Sequence, residues 1–531
     1  MFVPLTPVRC LYRGVDLYGK KEGVVSGSRR FTYSQFGERC ERLAGGLLRE
    51  GIRPGDRVAY LSFNTHQLLE GYFGVLLARA VVMPLNVRLT PPELITILNH
   101  SAARMLLFEN DFAPLVPHFR QACPAIERYV ALDDAHPAAD LTSAELLDPN
   151  RVDRPDIFSF DEAAPAELFY TSGSTGTPKG VLLSHRTLYL HAMSVLAGDT
   201  DHSDTKVELH TIPLFHANAW GRPHVATMSG LKQVMVRRFE PSTVFRLIQE
   251  ERTTGMSLVP TMAGALLNSP DLGKYDLSSM REVFIGGAAA SPELIARMEQ
   301  AFGCRVVAGY GLTETSPVAS TGRAKSTVPW AGDAERVRRQ AMAGWPVPGV
   351  EIRVVDLHMS DVPRDMQAIG EVVVRGDVVM DGYYHDAAGT DAVMSPGGWL
   401  HTGDMAVWDE ETYVHIVDRK KDIIISGGEN ISSLEVERAI AAHPAVLECA
   451  VVSAPDLQWG EVPAAYVVVK PGQRLTRDEL LAFVERHIAR FKLPRVVEFL
   501  EGSLPKTGTG KIVKRQLREK FWAGMERRVQ G

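Results

Sequence analysis

The sequence predicts an α/β protein with a large N-terminal domain of stacked α/β subdomains and a smaller C-terminal α+β domain. Three observations lead to this prediction. Helical and strand patterns alternate along the N-terminal region, which is typical of mainly parallel sheets covered by helices. A hydrophobic fraction of 45% over 531 residues is enough to bury several cores. After about residue 419 the pattern changes to short apolar strands and a capped helix.

The N-terminal elements follow from the spacing of their apolar residues. Side chains between Phe36 and Leu48 recur at helical spacing, whereas short continuous apolar runs are typical of buried strands. The predicted elements are helices over 36–48, over 68–77 and from about Pro92, and strands over 57–61, 81–85 and 105–108.

The C-terminal region predicts a domain of its own. Strands are expected over 446–452, 464–469 and 496–500, and Thr476 with Glu479 has the spacing of a capping box. Ser432 and Glu435 have the same spacing. We place the first domain at residues 1–418, a hinge at 419–422 and the second domain at 423–531. The charged stretch at the hinge is by itself also compatible with a solvated turn.

Composition and charge exclude several classes of protein. The net charge is −6, from 58 basic and 64 acidic side chains without long runs, which argues against nucleic acid as the main partner. No apolar run reaches the ~18 residues of a membrane span, and the N-terminus lacks a signal-peptide pattern. The five cysteines include no CxxC pair, which is typical of reduced thiols in a cytoplasmic protein. Peripheral membrane contact and a homodimeric state are left open.

The stretch LFYTSGSTGTPKGVLLSH, from Leu168 to His185, predicts a phosphate-binding loop. Backbone amides in such a Gly/Ser/Thr-rich turn can converge on an anion, and Lys179 adds a mobile positive charge. The loop is not a Walker A motif, because Pro178 and Gly180 interrupt that pattern. A flexible linker is the alternative, but the apolar segments on both sides indicate strands that hold the loop.

The stretch Tyr170 to Gly180 resembles the signature loop of the AMP-forming adenylating superfamily, which includes acyl-CoA synthetases, peptide-synthetase adenylation domains and luciferases. Other motifs of that superfamily follow in order along nearly the full length. They are PLFHANAW (213–220), GGAA (286–289), GYGLTET (309–315), WLHTGD (399–404), DRKKDIIISGGENI (418–431) and PKTGTGK (505–511). The chain is similar in particular to bacterial medium- and long-chain fatty-acyl-CoA synthetases.

The resemblance implies a set of ATP- and AMP-binding residues. In the family, the loop binds the β- and γ-phosphates, Tyr310 stacks on adenine, Glu314 binds Mg²⁺, and Asp404 and Arg419 contact the ribose. The implied set is Thr171, Ser172, Gly173, Ser174, Thr175, Gly176, Lys179, Gly287, Ala288, Gly309, Tyr310, Gly311, Thr313, Glu314, Asp404, Arg419 and Lys511. Without the resemblance, Glu314 is equally well interpreted as a solvated side chain in a tight turn, and Asp404 as part of an ordinary turn.

The resemblance also implies the residues of catalysis and of acid and thiol binding. Thr171, His216, Glu314 and Lys511 are the implied catalytic residues. The acid is expected beside His216, Trp220, Gly286 and Gly287, with Trp220 as the gate of an acyl tunnel. The C-terminal domain of the family is mobile, with Lys421 at its hinge, and Gly427 and Gly428 are expected on the side of the thiol. Core packing is the alternative interpretation of His216 and Trp220.

The function implied is that of an ATP-dependent acid–CoA ligase, with Mg²⁺ as cofactor and with a carboxylic acid, ATP and coenzyme A as substrates. Coenzyme A is expected as the acceptor because no carrier segment follows the lysine motif. A medium- to long-chain fatty acid is the expected substrate, and an aryl, alicyclic or short substituted acid is the alternative. A catalytically inactive nucleotide-binding protein is the alternative of another class.

One departure from the fatty-acyl pattern bears on the acid. Gly221-Arg222-Pro223-His224 follows Trp220, whereas fatty-acyl relatives usually have apolar or aromatic residues at the positions of Arg222 and His224. A plain alkyl chain facing either side chain would leave a polar group unpaired, at a cost of roughly 1–3 kcal/mol. Either both side chains point to solvent, or the acid carries a polar group or a ring.

Overall fold

The computed structural model describes residues 2–149, 152–171, 178–199, 203–328, 330–426, 429–506 and 512–522. The chain divides into two compact units. The first unit is Met1–Ile352 with Val374–His401, and the second is Arg353–Val373 with Thr402–Gly531. The predicted hinge at 419–422 lies inside the second unit. Because a division by packing does not report motion, the hinge stays a prediction.

The first part of the chain alternates strands and helices, as predicted. The elements are α1 (Val8–Tyr18), β1 (Glu22–Ser26), β2 (Arg29–Thr32), α2 (Tyr33–Arg49), β3 (Arg57–Leu61), α3 (His66–Leu77), β4 (Val81–Pro84), α4 (Pro91–Ser101), β5 (Met105–Phe108), α5 (Val116–Ala122), β6 (Arg128–Ala131), β7 (Leu141–Thr142) and α6 (Ser143–Leu146). The predicted helix over 36–48 begins earlier, at Tyr33, because Thr32 caps it in a capping box with Gln35.

The middle of the chain continues the alternation. The elements are β8 (Pro165–Thr171), β9 (Lys179–Ser184), α7 (His185–Gly198), β10 (Val207–His210), α8 (Ala217–Trp220), α9 (Arg222–Met228), β11 (Lys232–Met235), α10 (Pro241–Glu251), β12 (Gly255–Leu258), α11 (Pro260–Leu267), β13 (Glu282–Ile285), α12 (Pro292–Phe302), β14 (Arg305–Tyr310), β15 (Ser320–Thr321), α13 (Asp333–Gln340) and β16 (Trp345–Pro346).

The last third contains mostly strands. The elements are β17 (Val350–Val355), β18 (Gly370–Gly376), β19 (Gly382–Tyr383), α14 (Ala387–Asp391), β20 (Met394–Ser395), β21 (Trp399–Trp408), β22 (Val414–Arg419), β23 (Ile424–Ser426), β24 (Glu429–Ile431), α15 (Ser433–Ala441), β25 (Val446–Asp456), β26 (Gly460–Val469), α16 (Arg477–Val484), β27 (Val496–Phe499) and α17 (Lys514–Trp522).

Two large sheets form the core of the first unit. One has nine strands in the order β16-β15-β14-β13-β12-β10-β11-β1-β2, and the other has eight in the order β19-β9-β8-β4-β3-β5-β6-β7. The strands from β14 to β1 in the first sheet and from β8 to β7 in the second pair in parallel. The continuous apolar runs of β3, β4 and β5 fit this arrangement, since helices cover both faces of a parallel sheet. The predicted α/β fold with mainly parallel sheets is confirmed.

The second unit contains a smaller sheet in the order β24-β23-β26-β25, with β27 paired to β26. A further sheet has the order β17-β18-β21-β20, with β22 paired to β21. The predicted strand over 446–452 extends to Asp456, because its ladder with β26 continues as far as Gly460. Thr476 and Glu479 form the predicted capping box. Ser432 caps α15, but the carboxylate of Glu435 pairs with Lys492 at 2.7 Å instead of returning to the cap.

No helix within the described ranges is long and apolar enough to cross a membrane.

A carboxyl group is buried where strand β8 passes the short element α8. Glu167 is fully buried, and its Oε2 accepts a hydrogen bond from Asn218 Nδ2 at 2.8 Å. Burial raises the pKa of Glu167 to about 8, although the Asn218 hydrogen bond lowers it. Its Oε1 lies 3.3 Å from Nε2 of buried His224, whose pKa burial lowers to about 3. Both side chains are therefore neutral near neutral pH, so their contact is not an ion pair.

We predict that Glu167→Gln removes a pH dependence from the stability of the protein. The pKa of Glu167 is about 8 in the folded state, against an ordinary value of 4.5. The folded state therefore keeps a proton that the unfolded chain releases, so this stabilising effect is complete below the ordinary value and is lost as the pH rises to about 8. From about pH 5 to about pH 8 the wild type should lose roughly a few kcal/mol of unfolding free energy relative to the variant, measured by urea denaturation.

The control is Glu250→Gln on α10. Glu250 is half-exposed and pairs with Arg246 across one helical turn, so this variant should follow the wild type at every pH. If the unfolding free energies of Glu167→Gln and of the wild type instead change in parallel as the pH rises, the Glu167 carboxyl ionises normally in the folded protein.

Candidate active site

The two ends of the predicted phosphate loop are held together by strands β8 and β9. Thr171 ends β8 and pairs directly with Lys179, which begins β9. Ser172, Gly173, Ser174, Thr175 and Gly176 lie outside the described residues. The pairing fixes the spacing of the loop ends, so the backbone on both sides of the predicted anion site has a defined position.

Lys179 lies over an aromatic ring that the sequence did not point to. Its Nζ is 4.3 Å from the centre of the Tyr383 ring and 3.7 Å from Asp386 Oδ2. Tyr383 lies in β19, which pairs with β9, so Tyr383 is opposite Val181. A cation over an aromatic face is stabilised without a fixed hydrogen bond. Among the residues that the structure describes, Lys179 therefore has two weak partners and no strong one.

Tyr383 also contacts the carboxylate predicted to bind Mg²⁺. Its hydroxyl donates to Glu314 Oε1 at 2.9 Å. Burial, together with the charge of Glu314, raises the pKa of Tyr383 well above its ordinary value, so the hydroxyl stays protonated as a donor. Lys179 and Glu314 belong to motifs far apart in sequence, and Tyr383 brings them together. We call these three residues the Tyr383 cluster. A two-residue strand such as β19 has no periodicity by which the sequence could have revealed it.

The GYGLTE motif follows strand β14, and packing explains its glycines. A Cβ at Gly311 would lie 1.6 Å from the carbonyl oxygen of Pro317. A Cβ at Gly309 would lie 1.9 Å from Cζ of Phe284. Thr313 begins a short 3-10 helix, and the carbonyl of Glu314 accepts a hydrogen bond from the Met380 amide at 2.9 Å. The motif is thus a packed turn, and Tyr310 is half-buried at the end of its strand.

The PLFHANAW motif ends in a left-handed turn. His216 precedes it, and Ala217, Asn218, Ala219 and Trp220 have φ values from 44° to 63°. Left-handed backbone is unfavourable for such residues, so the turn needs partners that hold it. The Asn218 side chain supplies them, because it accepts from the Gly221 amide and donates to Glu167.

Trp220 lies against the glycines predicted to border the adenylate. A Cβ at Gly286 would be 3.2 Å from Trp220 Cη2, and one at Gly287 would be 3.6 Å from Cζ2. The indole meets the Phe284 ring edge-on, with 5.8 Å between ring centres. Ala288 follows at an exposed position. The structure therefore brings Trp220, Gly286 and Gly287 together, as the acid-site prediction requires.

Trp220 also lines a cavity of about 110 Å³. An engineered cavity of ~150 Å³ takes up benzene, so the space is of the size of a small organic group. Apolar parts of its wall come from Met256, Phe284, Val318 and Val347. Trp220 therefore stands between this cavity and the glycines that follow β13.

Arg222 and His224 differ in where they point. Arg222 lines the cavity and pairs with Glu208 through two contacts of 2.9 and 2.5 Å. His224 is buried beside Glu167, with Tyr72 and Phe73 meeting its ring edge-on. The sequence predicts that His224 faces either solvent or the acid. It faces neither, because its ring is buried against Glu167. A buried glutamate far away in sequence gives no signal that could have revealed this partner.

In the second unit, Asp404 and Arg419 stand opposite each other on strands β21 and β22. Arg419 Nε lies 2.7 Å from Asp404 Oδ1, and Asp404 is almost fully buried. Thr402 Oγ1 accepts from the Asp404 amide at 3.1 Å and donates to the Val372 carbonyl at 2.7 Å. The pair predicted to bind the ribose is therefore preassembled by strand register.

A buried lysine, Lys514, lies near the predicted hinge. Burial lowers the pKa of Lys421. Lys514, which the sequence did not single out, pairs with Glu437 at 2.8 Å and donates to Ser433 Oγ at 2.6 Å. Gly427, Gly428 and Lys511 lie outside the described residues. The segment containing Lys511 is bounded by a β-bridge between Lys506 and Ile512.

Two family models match the chain. The AMP-binding enzyme model matches residues 12–384, and the model of the AMP-binding enzyme C-terminal domain matches residues 435–511.

Curated relatives are similar over nearly the whole chain. A long-chain-fatty-acid–CoA ligase of Thermus thermophilus is 40% identical, covering 96% of this chain and 94% of its own. A feruloyl-CoA synthase of Amycolatopsis is 38% identical, covering 93% and 95%. The crystal structure of an anthranilate CoA ligase with anthranoyl-AMP superimposes with a TM-score of 0.87 at 26% identity, covering 98% of each chain. The chain therefore belongs to the AMP-binding enzyme family, among its AMP-forming acid–CoA ligases.

Proposed function

We propose that the chain joins a carboxylic acid to AMP with release of pyrophosphate and then transfers the acyl group to coenzyme A, at the residues described above. The observation that supports this proposal best is the Tyr383 cluster, in which the loop lysine Lys179 and the carboxylate of Glu314 share one aromatic neighbour. An adenylating site needs cationic and metal-binding groups side by side, because two anionic substrates must approach each other.

The phosphate loop meets the triphosphate in this proposal. Thr171, Ser172 and Thr175 donate to phosphate oxygens, and the loop glycines (Gly173 and Gly176) let the backbone approach closely. Lys179 has Asp386 and the Tyr383 ring as its neighbours, and a phosphate is a stronger partner than either. The lysine can therefore turn from these contacts to the nucleotide at low cost.

In this proposal, Glu314 is the single protein carboxylate that binds a magnesium ion. Among the described residues no group of three or more His, Cys, Asp or Glu side chains could hold a metal ion. That fits Mg²⁺ in a nucleotide site, which takes one or two carboxylates and completes its shell with phosphate oxygens and water. When bound, the ion would offset charge on the leaving pyrophosphate. Tyr383 orients the carboxylate through its hydrogen bond to Oε1.

The remaining nucleotide contacts follow the family pattern. Tyr310 stacks on adenine, with Gly309, Gly311, Thr313, Gly287 and Ala288 around the base and the α-phosphate. Asp404 accepts hydrogen bonds from the ribose hydroxyls. Its ion pair with Arg419 holds this buried carboxylate in place as an acceptor.

Lys511 and His216 complete the reacting centre in this proposal. Lys511 bridges the acid carboxylate and the α-phosphate during adenylation, and His216 lies beside the acid. For the transfer to coenzyme A the C-terminal domain turns about Lys421, so that Gly427 and Gly428 border the thiol. A lysine suits this exchange because a compact charge on a long stem can enter and withdraw.

A medium- to long-chain fatty acid is the proposed substrate. Support comes from the relative named for long-chain fatty acids and from the apolar walls of Trp220, Phe284 and Met256 around the cavity. A second candidate, an acid with a polar substituent, is favoured by Arg222 and Glu208 in the same wall. Acid-dependent exchange of labelled pyrophosphate into ATP, run on fatty, aryl, hydroxy and dicarboxylic acids, tests the reaction and the acid together.

We predict that Glu314→Gln slows adenylate formation by ~10²-fold or more and weakens its dependence on Mg²⁺, the scale of losing one fixed electrostatic contact. The measurement is pyrophosphate exchange over a range of Mg²⁺ concentrations. Tyr383→Phe is the matched variant, because it removes the hydrogen bond to Glu314 but keeps the carboxylate. The Tyr383→Phe variant should slow adenylate formation much less than Glu314→Gln does. Equal losses in the two variants would mean that Glu314 acts only by holding Tyr383.

We predict that Trp220→Ala changes the KM for the acid and the preference for chain length, with a smaller effect on kcat, because a gate controls access more than chemistry. Steady-state kinetics on a chain-length series measure this. Trp459→Ala removes a partly exposed indole from the second unit and should leave the profile unchanged. An unchanged profile in Trp220→Ala together with a lowered Tm would make Trp220 a packing residue.

We predict that Lys511→Ala slows adenylation by ~10²–10³-fold, whereas thioester formation from pre-made acyl-adenylate falls much less. Lys421→Pro should show the reverse, since fixing φ at the hinge hinders rotation. Both half-reactions are measured for each variant. Lys506→Ala, which removes a side-chain pairing with Glu448, should leave both half-reactions near wild type. Equal losses in both half-reactions would contradict alternation of the C-terminal domain.

A further inference from the structure

The PLFHANAW segment is tied to both large sheets of the first unit. It follows β10 of the nine-stranded sheet, and its first half is held by side chains next to the eight-stranded sheet. Asn64, buried three residues after β3, donates to the carbonyls of His210 and Ile212, each at 2.9 Å. The hydroxyl of Tyr72 on α3 donates to the Leu214 carbonyl at 2.7 Å. Buried hydrogen bonds to the backbone therefore fix the start of the segment.

The second half of the segment is held by one buried carboxyl of β8. Asn218 Nδ2 donates to Glu167 Oε2 at 2.8 Å, and Asn218 Oδ1 accepts from the Gly221 amide at 2.5 Å. Both Asn218 and Glu167 are fully buried. The backbone of Glu167 pairs with Val82 of β4 on one side and with Leu183 of β9 on the other. Glu167 is therefore fixed inside the eight-stranded sheet and gives Asn218 a partner in a defined position.

The backbone of the turn depends on Asn218. Ala217, Asn218, Ala219 and Trp220 have φ values of 44°, 44°, 45° and 63°. Residues other than glycine adopt this left-handed backbone singly and not in runs, because their Cβ crowds the following carbonyl. Within this run, the hydrogen bonds of one side chain close the turn and join it to β8. Trp220 is the last residue of the run, so the direction of its indole follows from the turn.

Stability alone does not account for a glutamate at position 167. A carboxyl buried in an apolar strand loses its hydration, and an apolar side chain would avoid this cost. Within the described part of the chain, only Oε2 of Glu167 makes a hydrogen bond, and that bond goes to Asn218. Residues that break a local rule at a cost are expected at functional sites. The carboxyl adds one thing to β8, which is an acceptor directed at the acid turn.

We infer that Glu167 is a positioning residue for acid binding, which acts through Asn218 on the turn that directs Trp220. This inference rests on the proposed function, in which Trp220 borders the acid. Thr171, at the start of the predicted phosphate loop, ends the same strand four residues after Glu167. The backbone pairing of β8 does not depend on the carboxyl. Loss of the carboxyl should therefore weaken binding of the acid and leave binding of ATP unchanged.

The test compares Glu167→Met with Glu167→Gln. Glu167→Met leaves Asn218 Nδ2 buried without an acceptor, so the KM for the acid should rise ~10-fold or more while the KM for ATP stays near wild type. Burial raises the pKa of Glu167 to about 8, so the neutral amide of Glu167→Gln matches the native group at pH 7 and keeps the acceptor. Glu167→Gln should therefore behave like the wild type. The measurement is pyrophosphate exchange at pH 7 with decanoate, or with the acid of the panel above that the wild type activates best.

Two further variants test the route through the turn. Asn218→Gly keeps a residue that adopts left-handed backbone freely but removes both side-chain hydrogen bonds. It should raise the KM for the acid as Glu167→Met does, and it tests the inference even if Glu167→Met does not fold. In a Trp220→Ala background, Glu167→Met should raise the KM for the acid much less, because residues that act through one another are not additive. Full additivity would contradict the inference.

The matched control is Glu251→Met, which removes another buried carboxylate of the first unit, paired with Arg30 at 2.5 Å and with Lys232 at 2.8 Å. It should lower the Tm and leave the KM for the acid unchanged. The same result in Asn218→Gly or Glu167→Met would overturn the inference and make Glu167 a packing residue, as would equal losses in Glu167→Met and Glu167→Gln. A wild type that exchanges pyrophosphate with no acid of any class would instead overturn the proposed function, so the two failures are distinguishable.

Discussion

The hydrogen bond between Asn218 and the buried carboxyl of Glu167 is the constraint on which the predicted acid site depends. It holds a left-handed turn, and left-handed backbone costs roughly 1–2 kcal/mol per residue without such support. Asparagine is among the residues that adopt this backbone most readily. Gly221 continues the turn at a φ of 76°, and a Cβ there would meet the His191 ring at 2.5 Å. His216, Trp220 and Arg222 flank or form this turn, so their positions follow from it.

The two ends of the parallel strands in the nine-stranded sheet carry different kinds of side chain. The carboxyl ends of β13 and β14 carry Gly286 and Tyr310, the predicted nucleotide side, as expected for ligands of open parallel sheets. The opposite ends of the same strands carry Glu282 and Arg305. The residues predicted to bind the nucleotide and these charged residues therefore lie at opposite ends of the same strands.

Sequence motifs predicted the fold class, the enzyme class and the strands on both sides of the phosphate loop. They could not predict Tyr383, because a two-residue strand has no periodic signal. Its neighbours are brought to it by tertiary structure, Lys179 through the pairing of β19 with β9 and Glu314 through a side-chain hydrogen bond. The partner of His224 was also out of reach. From the sequence, a glutamate among apolar strand residues is interpreted as a side chain that faces solvent. The structure shows instead that Glu167 is buried, and burial raises its pKa to about 8.

In each unit, backbone pairing joins the two ends of a segment that contains a lysine predicted to bind the nucleotide. Lys179 stands at the end of a loop whose termini pair between β8 and β9. Lys511 belongs to a segment whose ends pair between Lys506 and Ile512. Just beyond that segment, Lys514 is held by Glu437 and Ser433, and such a buried cation is costly to displace once it is paired. These contacts fix the chain just beyond that segment to the second unit.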